Sequence, residues 1–178
     1  MKKNIIPPVT KQQQAYVIDR TNHFVDLASQ LFNKNFQPVP VNFKLTGRAA
    51  GMYHVNNRQR YIRYNPYIFS KYFEDNLQNT VPHEVAHYIA DMIYGIRNIR
   101  PHGKEWQSIM VDFGCTPKVR CDYNLEGIPQ RTQRRFNYQC NCREYEITTR
   151  RHNMIQNRQR IYHCPKCHYR IDFLSDSK

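Results

Sequence analysis

The most informative segment of the chain is Val81-Pro82-His83-Glu84-Val85-Ala86-His87. It begins a predicted amphipathic helix, because Val85, Ile89 and Ile93 recur at helical spacing. Asn79-Thr80 is predicted to cap this helix, Pro82 fits its first turn, and Gly95 is predicted to end it. The first turns of the predicted helix therefore carry two histidines and a glutamate.

The two histidines are four residues apart, so His83 and His87 share one helix face and both imidazoles can bind one ion. Glu84 projects to the side, where it can act as general base on a zinc-bound water, whose pKa zinc lowers to about 7. This is the zincin pattern of metallopeptidases. The alternative is an accidental helix with two surface histidines and a glutamate. Asp91 could orient His87 as a hydrogen-bond acceptor, but it is predicted to be an ordinary solvated residue and is left outside the site.

A catalytic zinc site needs a third protein ligand and one open position. The metzincin spacing is excluded, because Ala90 and Ile93 stand where that pattern has glycine and histidine. Two candidates remain, Glu105 and His102. His102 is the stronger one, because it lies just before the helix predicted around Trp106, where a packed helix start can hold it against the ion.

The charge of the chain is strongly positive. Its 178 residues contain 27 Lys and Arg against 14 Asp and Glu, a net charge of +13. Residues 118–178 hold 13 of the basic and 6 of the acidic side chains, so the excess is greatest in the shorter, C-terminal part. Such a field favours polyanions, and nucleic acid is the obvious one. The alternative is a basic surface that serves only solubility.

The compartment expected for the chain is the cytoplasm. The N-terminus, Met1 to Pro8, has two lysines without an apolar run behind them and is not read as a secretory signal. No apolar stretch is long enough to span a bilayer, so no membrane association is expected. In the cytosol thiols stay reduced, and six cysteines then indicate metal binding before disulfides.

Four of the cysteines form two local pairs, Cys140-x-Cys142 and Cys164-x-x-Cys167. Together they predict a second, structural zinc held by four thiolates, which would supply folding energy to a segment with little core. The first pair has one intervening residue where a ribbon usually has two or more. That departure leaves open whether His152 or His163 replaces a cysteine.

Arginines and tyrosines alternate around these cysteines. Arginine holds phosphates and tyrosine can stack on unpaired bases, so the segment is a candidate for sequence-independent nucleic-acid binding. The alternative is a solvated surface whose tyrosines pack a thin core. The residues proposed for nucleic acid are Arg134, Arg135, Arg150 and Arg151, with Tyr138, Tyr145, Tyr162 and Tyr169 between the basic residues.

The remaining periodicities predict the outline of the fold. A helix is predicted from Lys11 to about Phe32, a half-buried strand over Val41 to Leu45, and a hairpin over Met52 to Tyr64. Asn65-Pro66 predicts a helix start. Short strands are predicted after Phe136, over residues 145–149, 161–163 and 169–173. The predicted organisation is an arm (1–9), a first domain (10–117), a basic linker lying over a surface (118–135) and a β zinc module (136–178).

Several blocks together resemble the bacterial SprT family, over almost the whole chain except the first ten residues. The blocks that agree are Val81–His87, Pro101–Trp106, Tyr138–Cys142, Arg150–Asn153 and Tyr162–Cys167, with weaker agreement at Ala50-Gly51 and Arg63–Pro66. The resemblance implies an α+β chain, in which a SprT-like zincin domain with helices and a small antiparallel sheet precedes a zinc ribbon. It also implies kinship with the Spartan proteases, which act on DNA–protein crosslinks.

The function predicted from the sequence is a zinc metalloendopeptidase that acts on proteins or peptides, some of them associated with DNA. It would hold Zn²⁺ at His83, His87 and His102 and a second Zn²⁺ at the four cysteines. Two alternatives stay open: a nucleic-acid-binding zinc protein whose zincin domain is a scaffold, and a zinc hydrolase of a non-peptide amide.

Overall fold

The computed structural model describes residues 5–56, 59–130 and 134–176. The chain divides into two compact units, Met1–Gln130 and Arg131–Lys178. Both mix helix with a small sheet, so the α+β class holds for the described residues. Within those ranges no helix combines the length and the apolar character needed to cross a bilayer.

The first helix, α1 (Lys11–Leu31), forms where the periodicity predicts it. Its start is fixed by a capping box, in which the Thr10 side chain accepts the Gln13 N–H and the Gln13 side chain accepts the Thr10 N–H. Its buried face presents Val17, Phe24 and Ala28, among others, to the core. This face packs on the helix that carries the histidines.

The first sheet joins β1 (Val41–Asn42), β2 (Gly51–Asn56) and β3 (Gln59–Tyr64) in the order β1-β3-β2. β2 and β3 form the predicted antiparallel hairpin, and β1 pairs parallel with β3. The turn is predicted at Asn56-Asn57, of which Asn56 ends β2 and residue 57, like residue 58, lies outside the described residues. β1 is shorter than predicted, because the Asn42 side chain accepts the Lys44 N–H and bends the chain.

A run of helical segments then leads to the histidine stretch: α2 (Pro66–Lys71), α3 (Phe73–Asp75), a π-helical turn (Asn76–Thr80) and α4 (Val81–Tyr94). Asn65 caps α2 as predicted, accepting the Tyr67 and Ile68 N–H groups. The predicted Asn79-Thr80 cap of α4 is wrong. Thr80 is itself helical (φ −75°, ψ −39°) and makes no cap hydrogen bond. The preceding turn already supplies the carbonyls that a cap would replace.

The end of α4 is set by Gly95, whose φ of 80° only glycine adopts freely. After a loop, α5 (Lys104–Asp112) packs on α4 through Trp106, Ile109 and Met110, all buried. α4 thus lies against α1 on one side, α5 on another and β2 on a third. Packing against these three elements fixes the first turns of α4 and the positions of the side chains that they carry.

Residues 118–130, predicted as part of a linker over a surface, pack within the first unit. The Lys71 ammonium donates to the carbonyls of Asn124 and Glu126, both at 2.8 Å. Ile128 is buried, and the Ile6 N–H donates to the Gly127 carbonyl. Residues 131–133, the middle of the predicted basic linker, lie outside the described residues.

The second unit contains β4 (Arg135–Gln139), β5 (Glu144–Thr148), α6 (Thr149–Gln156) and β6 (Asp172–Asp176), with sheet order β5-β4-β6. The strand predicted over 145–149 corresponds to β5. The strand predicted over 161–163 is wrong, because His163 forms only a single bridge with Arg170 there, and the strand predicted over 169–173 is shifted toward the C-terminus, to Asp172–Asp176. Helix α6 was not predicted, because none of its residues is buried and it has no apolar stripe to give it a helical period.

Candidate metal centres and the residues around them

Three imidazoles meet at one point in the first unit. His83 and His87 lie one turn apart on α4, and His102 comes from the loop before α5. Their Nε2 atoms are separated by 3.3 Å (His87 to His83), 3.1 Å (His87 to His102) and 3.0 Å (His102 to His83). The structure therefore brings together the three residues predicted as ligands. Glu105, the alternative, is not part of the group.

The tautomer of one imidazole follows from its neighbour. The Lys118 carbonyl lies 3.3 Å from His83 Nδ1 and can only accept, so Nδ1 carries the hydrogen and Nε2 presents a lone pair. A tetrahedral metal with nitrogen ligands at about 2.0–2.1 Å requires nitrogen–nitrogen separations of roughly 3.3 Å. The observed separations are close to this value. The three imidazoles are therefore arranged as ligands of one metal ion and not as hydrogen-bond partners of one another.

Burial keeps these imidazoles neutral. It lowers the pKa of His83 to about 4, helped by the nearby His102. It lowers the pKa of His87 to about 3, with His83 and His102 adding to the effect, and it also lowers the pKa of His102. A metal ligand must be the neutral imidazole, so the group is in its binding form at neutral pH.

The group is held by Trp106 and by the backbone. The Trp106 indole donates to the His83 carbonyl at 3.1 Å, and its ring lies 4.7 Å from the rings of His83 and His102. His102 has a φ of 56°, in the left-handed region that non-glycine residues rarely occupy. Its carbonyl accepts from the Gln107 side chain at 3.0 Å. A strained backbone held in this way directs the third imidazole at the first two.

Glu84 lies beside the imidazoles in a buried position, with 6% of its surface exposed. Burial raises the pKa of its carboxyl to about 8, although the hydrogen bond from the Tyr53 backbone lowers it somewhat. That N–H donates to Glu84 Oε2 at 2.6 Å. The carboxyl is thus fixed by strand β2, and it can exchange a proton near neutral pH.

The four cysteines of the second unit also come together, and Cys164 is fully buried. Their sulfurs lie within 4.8 Å of one another, with Cys140 to Cys142 at 3.5 Å and Cys142 to Cys164 at 3.7 Å. Tetrahedral zinc–thiolate geometry, with bonds of about 2.3 Å, requires roughly 3.8 Å. The one-residue spacing of Cys140 and Cys142 is therefore compatible with a four-sulfur site.

The histidines considered as substitutes have other surroundings. His152 stacks on Phe136, with ring centroids 3.7 Å apart, and its Nδ1 lies 3.2 Å from the Tyr138 hydroxyl. His163 pairs with Arg170 in the isolated bridge. Neither belongs to the cysteine group among the described residues.

Comparison with known proteins finds relatives over most of this chain. The SprT-like family matches residues 21–133. Protein SprT of Vibrio parahaemolyticus is 36% identical over 151 residues, which cover 84% of this chain and 87% of the relative. Protein SprT of Pasteurella multocida is 37% identical over 144 residues, covering 80% and 83%. The chain belongs to the SprT-like family. No solved structure matches it.

Sequence reasoning missed a glycine in this SprT-like site. A Cβ on Gly51 would lie 2.6 Å from Glu84 Cγ and 2.8 Å from Thr80 Cγ2, closer than real contacts allow. The sequence places Gly51 only at the edge of a turn. Its φ is not in the left-handed region, so the reason for glycine here is the close approach of β2 to α4. No local pattern could have indicated that contact.

The burial of Asp91 was also not predicted from the sequence. It is buried, with 3% exposed, and is not a solvated residue of the helix face. Its Oδ2 accepts from the Tyr53 hydroxyl at 2.6 Å and from Arg60 Nε at 2.7 Å, and its Oδ1 accepts the Ile96 N–H. Burial alone would raise its pKa, but the hydrogen bonds from Arg60 and Tyr53 more than offset this and lower it. Asp91 thus holds Tyr53, whose backbone holds Glu84.

The arginines predicted to bind nucleic acid lie at one end of the second sheet. Arg135 pairs with Thr148, the residue just before α6, and the Thr149 hydroxyl donates to the Arg134 carbonyl. This register brings Arg134 and Arg135 near Arg150 and Arg151, and all four are exposed.

Some tyrosines of this segment pack in its core, and another is exposed and available for base stacking. Tyr138 is fully buried and belongs to the core, and the Tyr145 hydroxyl donates to Cys164 Sγ at 2.7 Å. Tyr169 is 60% exposed, which leaves its ring free to stack on a base.

Proposed function

We propose that this SprT-like protein is a zincin-type, zinc-dependent metallopeptidase, with His83, His87 and His102 as zinc ligands and Glu84 as general base. One observation carries the proposal. Three neutral imidazoles present their Nε2 atoms to one point, and the buried Glu84 carboxyl lines the same cavity, of about 340 Å³. Three protein ligands with an open side are typical of catalytic zinc sites.

The residues of the chain have separate tasks in this mechanism. When bound, zinc polarises a carbonyl group and makes a water molecule acidic enough to attack it at neutral pH. Glu84 takes the proton of the attacking water and later gives it to the leaving amine. The Tyr53 N–H keeps one oxygen of that carboxyl in place, at 2.6 Å, and leaves the other to exchange the proton. Trp106 packs against His83, His87 and His102 and keeps their Nε2 atoms directed at the point where a zinc ion would be held.

The four cysteines are proposed to hold a second, structural zinc. Four thiolates close the coordination sphere and leave no position for a substrate. Hydrogen bonds from the Tyr145 hydroxyl and from the backbone N–H of Lys166 and Cys167 outweigh burial and hold the pKa of Cys164 well below its usual range. The deprotonated thiol is the form that binds metal.

Protein and peptide substrates that lie on DNA are proposed as well. The exposed cluster of Arg134, Arg135, Arg150 and Arg151 supports sequence-independent contact with phosphates, since no base-reading motif accompanies it. Replacing the four by alanine should weaken DNA binding and flatten its salt dependence, measured by fluorescence anisotropy at two salt concentrations. Cleavage of a short peptide should stay unchanged. Full DNA binding by the variant would contradict this assignment.

Glu84→Gln tests the peptidase. The variant should keep its zinc, because the carboxylate is not a ligand, and should lose about a hundred- to ten-thousand-fold in cleavage rate. Zinc content is measured by elemental analysis, and cleavage is followed on an unfolded protein such as casein. A variant that cleaves at the parental rate would show that Glu84 is not the base.

The matched pair for the ligand assignment is His102→Ala and Glu105→Ala. Loss of His102 should reduce zinc affinity at the first site by more than about a hundredfold, since loss of a residue that only supports a ligand already costs about ten- to a hundredfold. Glu105→Ala should leave the affinity at the parental value. The opposite result would move the third ligand to Glu105.

A further inference from the structure

Two cavities meet at the proposed general base. One, of about 340 Å³, lies over the three histidines, and the other, of about 510 Å³, lies along residues 116–123. Both are lined by Gly51, His83 and Glu84. They are therefore two halves of one cleft, and a chain lying in it would cross Glu84 and the histidines midway.

The half over the histidines is largely apolar. Its walls include Met52, Ile96, Ile99 and Pro101, with Arg100 as the one cation among its described lining residues besides the histidines. Met52 is 39% exposed and Ile96 is 47% exposed, although both are large apolar side chains next to a proposed catalytic group. Exposed apolar surface in a cleft is typical of a binding site for an apolar group.

The other half is charged. Arg48, Lys118 and Arg120 line it, and Asp122 and Glu84 are the carboxylates among its described lining residues. All three cations are exposed, and across the described ranges none has an ion-pair partner. Three unpaired cations in one cavity repel one another, so an anionic group placed there gains from all three.

Strand β2 connects the two halves. It is an edge strand in the order β1-β3-β2, and it begins at Gly51, where the charged half ends, and runs through Met52 and Tyr53 into the apolar half. The Tyr53 N–H points to Glu84 and away from β3, so the free edge of β2 faces the cleft. The Tyr53 N–H is taken by Glu84, but the other backbone groups on this outer edge of β2 can pair with an extended peptide, and they offer nothing comparable to a nucleic-acid backbone.

We propose that the cleft selects peptides with an apolar residue before the scissile bond and an acidic residue after it. Antiparallel pairing with β2, the stronger mode per residue, places the N-terminal side of the peptide against Met52 and Ile96. The C-terminal side then faces Arg48, Lys118 and Arg120. This inference rests on the proposed peptidase function and adds the substrate class to it.

The test compares three fluorogenic peptides of equal length, each with leucine before the intended bond. They carry glutamate, glutamine or lysine in the two positions after it. The zinc-loaded protein should cleave the glutamate peptide with a kcat/KM at least about tenfold above that of the lysine peptide, with the glutamine peptide between. A fourth peptide with the glutamates before the bond should gain nothing. Equal rates for all peptides, or a gain with the fourth, would overturn the inference.

Reversing the charge of the cavity tests whether its cations cause the preference for the glutamate peptide. Arg48→Glu combined with Arg120→Glu should make the lysine peptide the better substrate, and Lys118 is kept because its carbonyl contacts His83. The matched control is Lys11→Glu combined with Lys34→Glu, which changes the net charge equally at exposed residues that line neither half. A preference that shifts equally in both double variants would reflect the overall charge and contradict the proposal.

Binding to the Glu84→Gln protein separates this inference from the proposed function. Labelled glutamate peptide should bind zinc-loaded Glu84→Gln more tightly than labelled lysine peptide, and adding Arg48→Glu and Arg120→Glu to that protein should reverse the order. Casein cleavage without any peptide preference would defeat the inference and leave the peptidase. No cleavage of any substrate, with the binding preference intact, would defeat the peptidase alone. An oligonucleotide that binds the cavity while peptides show no charge preference would assign the charged half to nucleic acid.

Discussion

The two groups of potential metal ligands differ in what surrounds them. His83 and His87 lie on α4, a helix packed on α1, α5 and β2 within a large core. The four cysteines lie in a unit whose buried core, among the described residues, consists of five side chains, one of them that of Cys164 itself. In the first unit the packing positions the ligands. In the second unit one of the potential ligands, Cys164, is itself part of the small buried core.

The difference separates two uses of a metal ion. A helix that is buried on three sides keeps its imidazoles in place without an ion, so the ion is free to serve chemistry. A core as small as that of the second unit offsets little of the conformational entropy of its segment, so in the proposed four-thiolate site the metal–thiolate bonds would supply the rest. The following changes either break this contrast or measure it.

The largest effect is expected from Cys164→Ser. Loss of one thiolate should unfold residues 134–176 while the first unit stays folded, because only the second unit depends on metal for its core. Two-dimensional NMR spectra of the zinc-loaded protein would show collapse of one set of resonances. Cys121→Ser, a cysteine outside the group, is the matched control and should retain both sets. Cooperative loss of all resonances would show that the units do not fold independently.

A smaller effect, on rate alone, is expected from Gly51→Ala. The new methyl group would meet Glu84 Cγ at 2.6 Å, so the carboxyl or strand β2 must move. A misplacement of about 1 Å can cost roughly a hundredfold in rate, so kcat should fall by ten- to a hundredfold with zinc still bound.

Gly47→Ala is the control for that change. Gly47 has a φ of 92° and open space around its missing Cβ, so alanine there is strained without touching the site. It should lower the free energy of unfolding by about 1 kcal/mol and leave kcat unchanged. Equal losses of kcat in both variants would assign the Gly51 effect to general destabilisation.

The smallest effect concerns pH. Glu84 has a pKa of about 8 in the fold, above its ordinary value of 4.5, so folding favours the protonated carboxyl. This contribution to stability is complete below about pH 4.5 and is lost as pH rises through about 8. Glutamine has no proton to lose. Metal-free Glu84→Gln should therefore match the parent in stability near pH 5 and be the more stable of the two near pH 8.5.

Urea unfolding at the two pH values measures this difference. Zinc should remove most of it, because a divalent cation beside the carboxyl stabilises the ionised form. A constant difference at both pH values would contradict the buried, protonated carboxyl.

The sequence predicts the residues whose chemistry is local. The spacing of His83 and His87 follows from helix geometry, and His102 could be chosen because it lies just before a predicted helix whose packed start can hold it against the ion. Helix α1 and the β2–β3 hairpin also form as their periodicities predict. In each of these cases the pattern lies within about twenty residues.

The sequence does not predict what depends on contacts across the fold. Asp91 has the spacing of a surface residue on α4, and only the arrival of Tyr53 and Arg60 from the hairpin buries it. The cap expected at Thr80 failed because the chain is already helical before it, which no residue of α4 reveals. Helix α6 is missed for the reverse reason, since none of its residues is fully buried and its sequence has no apolar stripe at helical spacing.

The contact between Gly51 and Glu84 also gives a criterion for sequence searches. Short His-Glu-x-x-His strings arise by chance on ordinary helices, and such a helix has no need for a glycine on a strand about thirty residues upstream. Where the backbone of a neighbouring strand must hold the glutamate, the strand position that faces its side chain, here Gly51, has no room for a Cβ. A search that asks for the upstream glycine as well as the pentapeptide would separate helices in which the glutamate is held as a base from helices that contain the pentapeptide by chance.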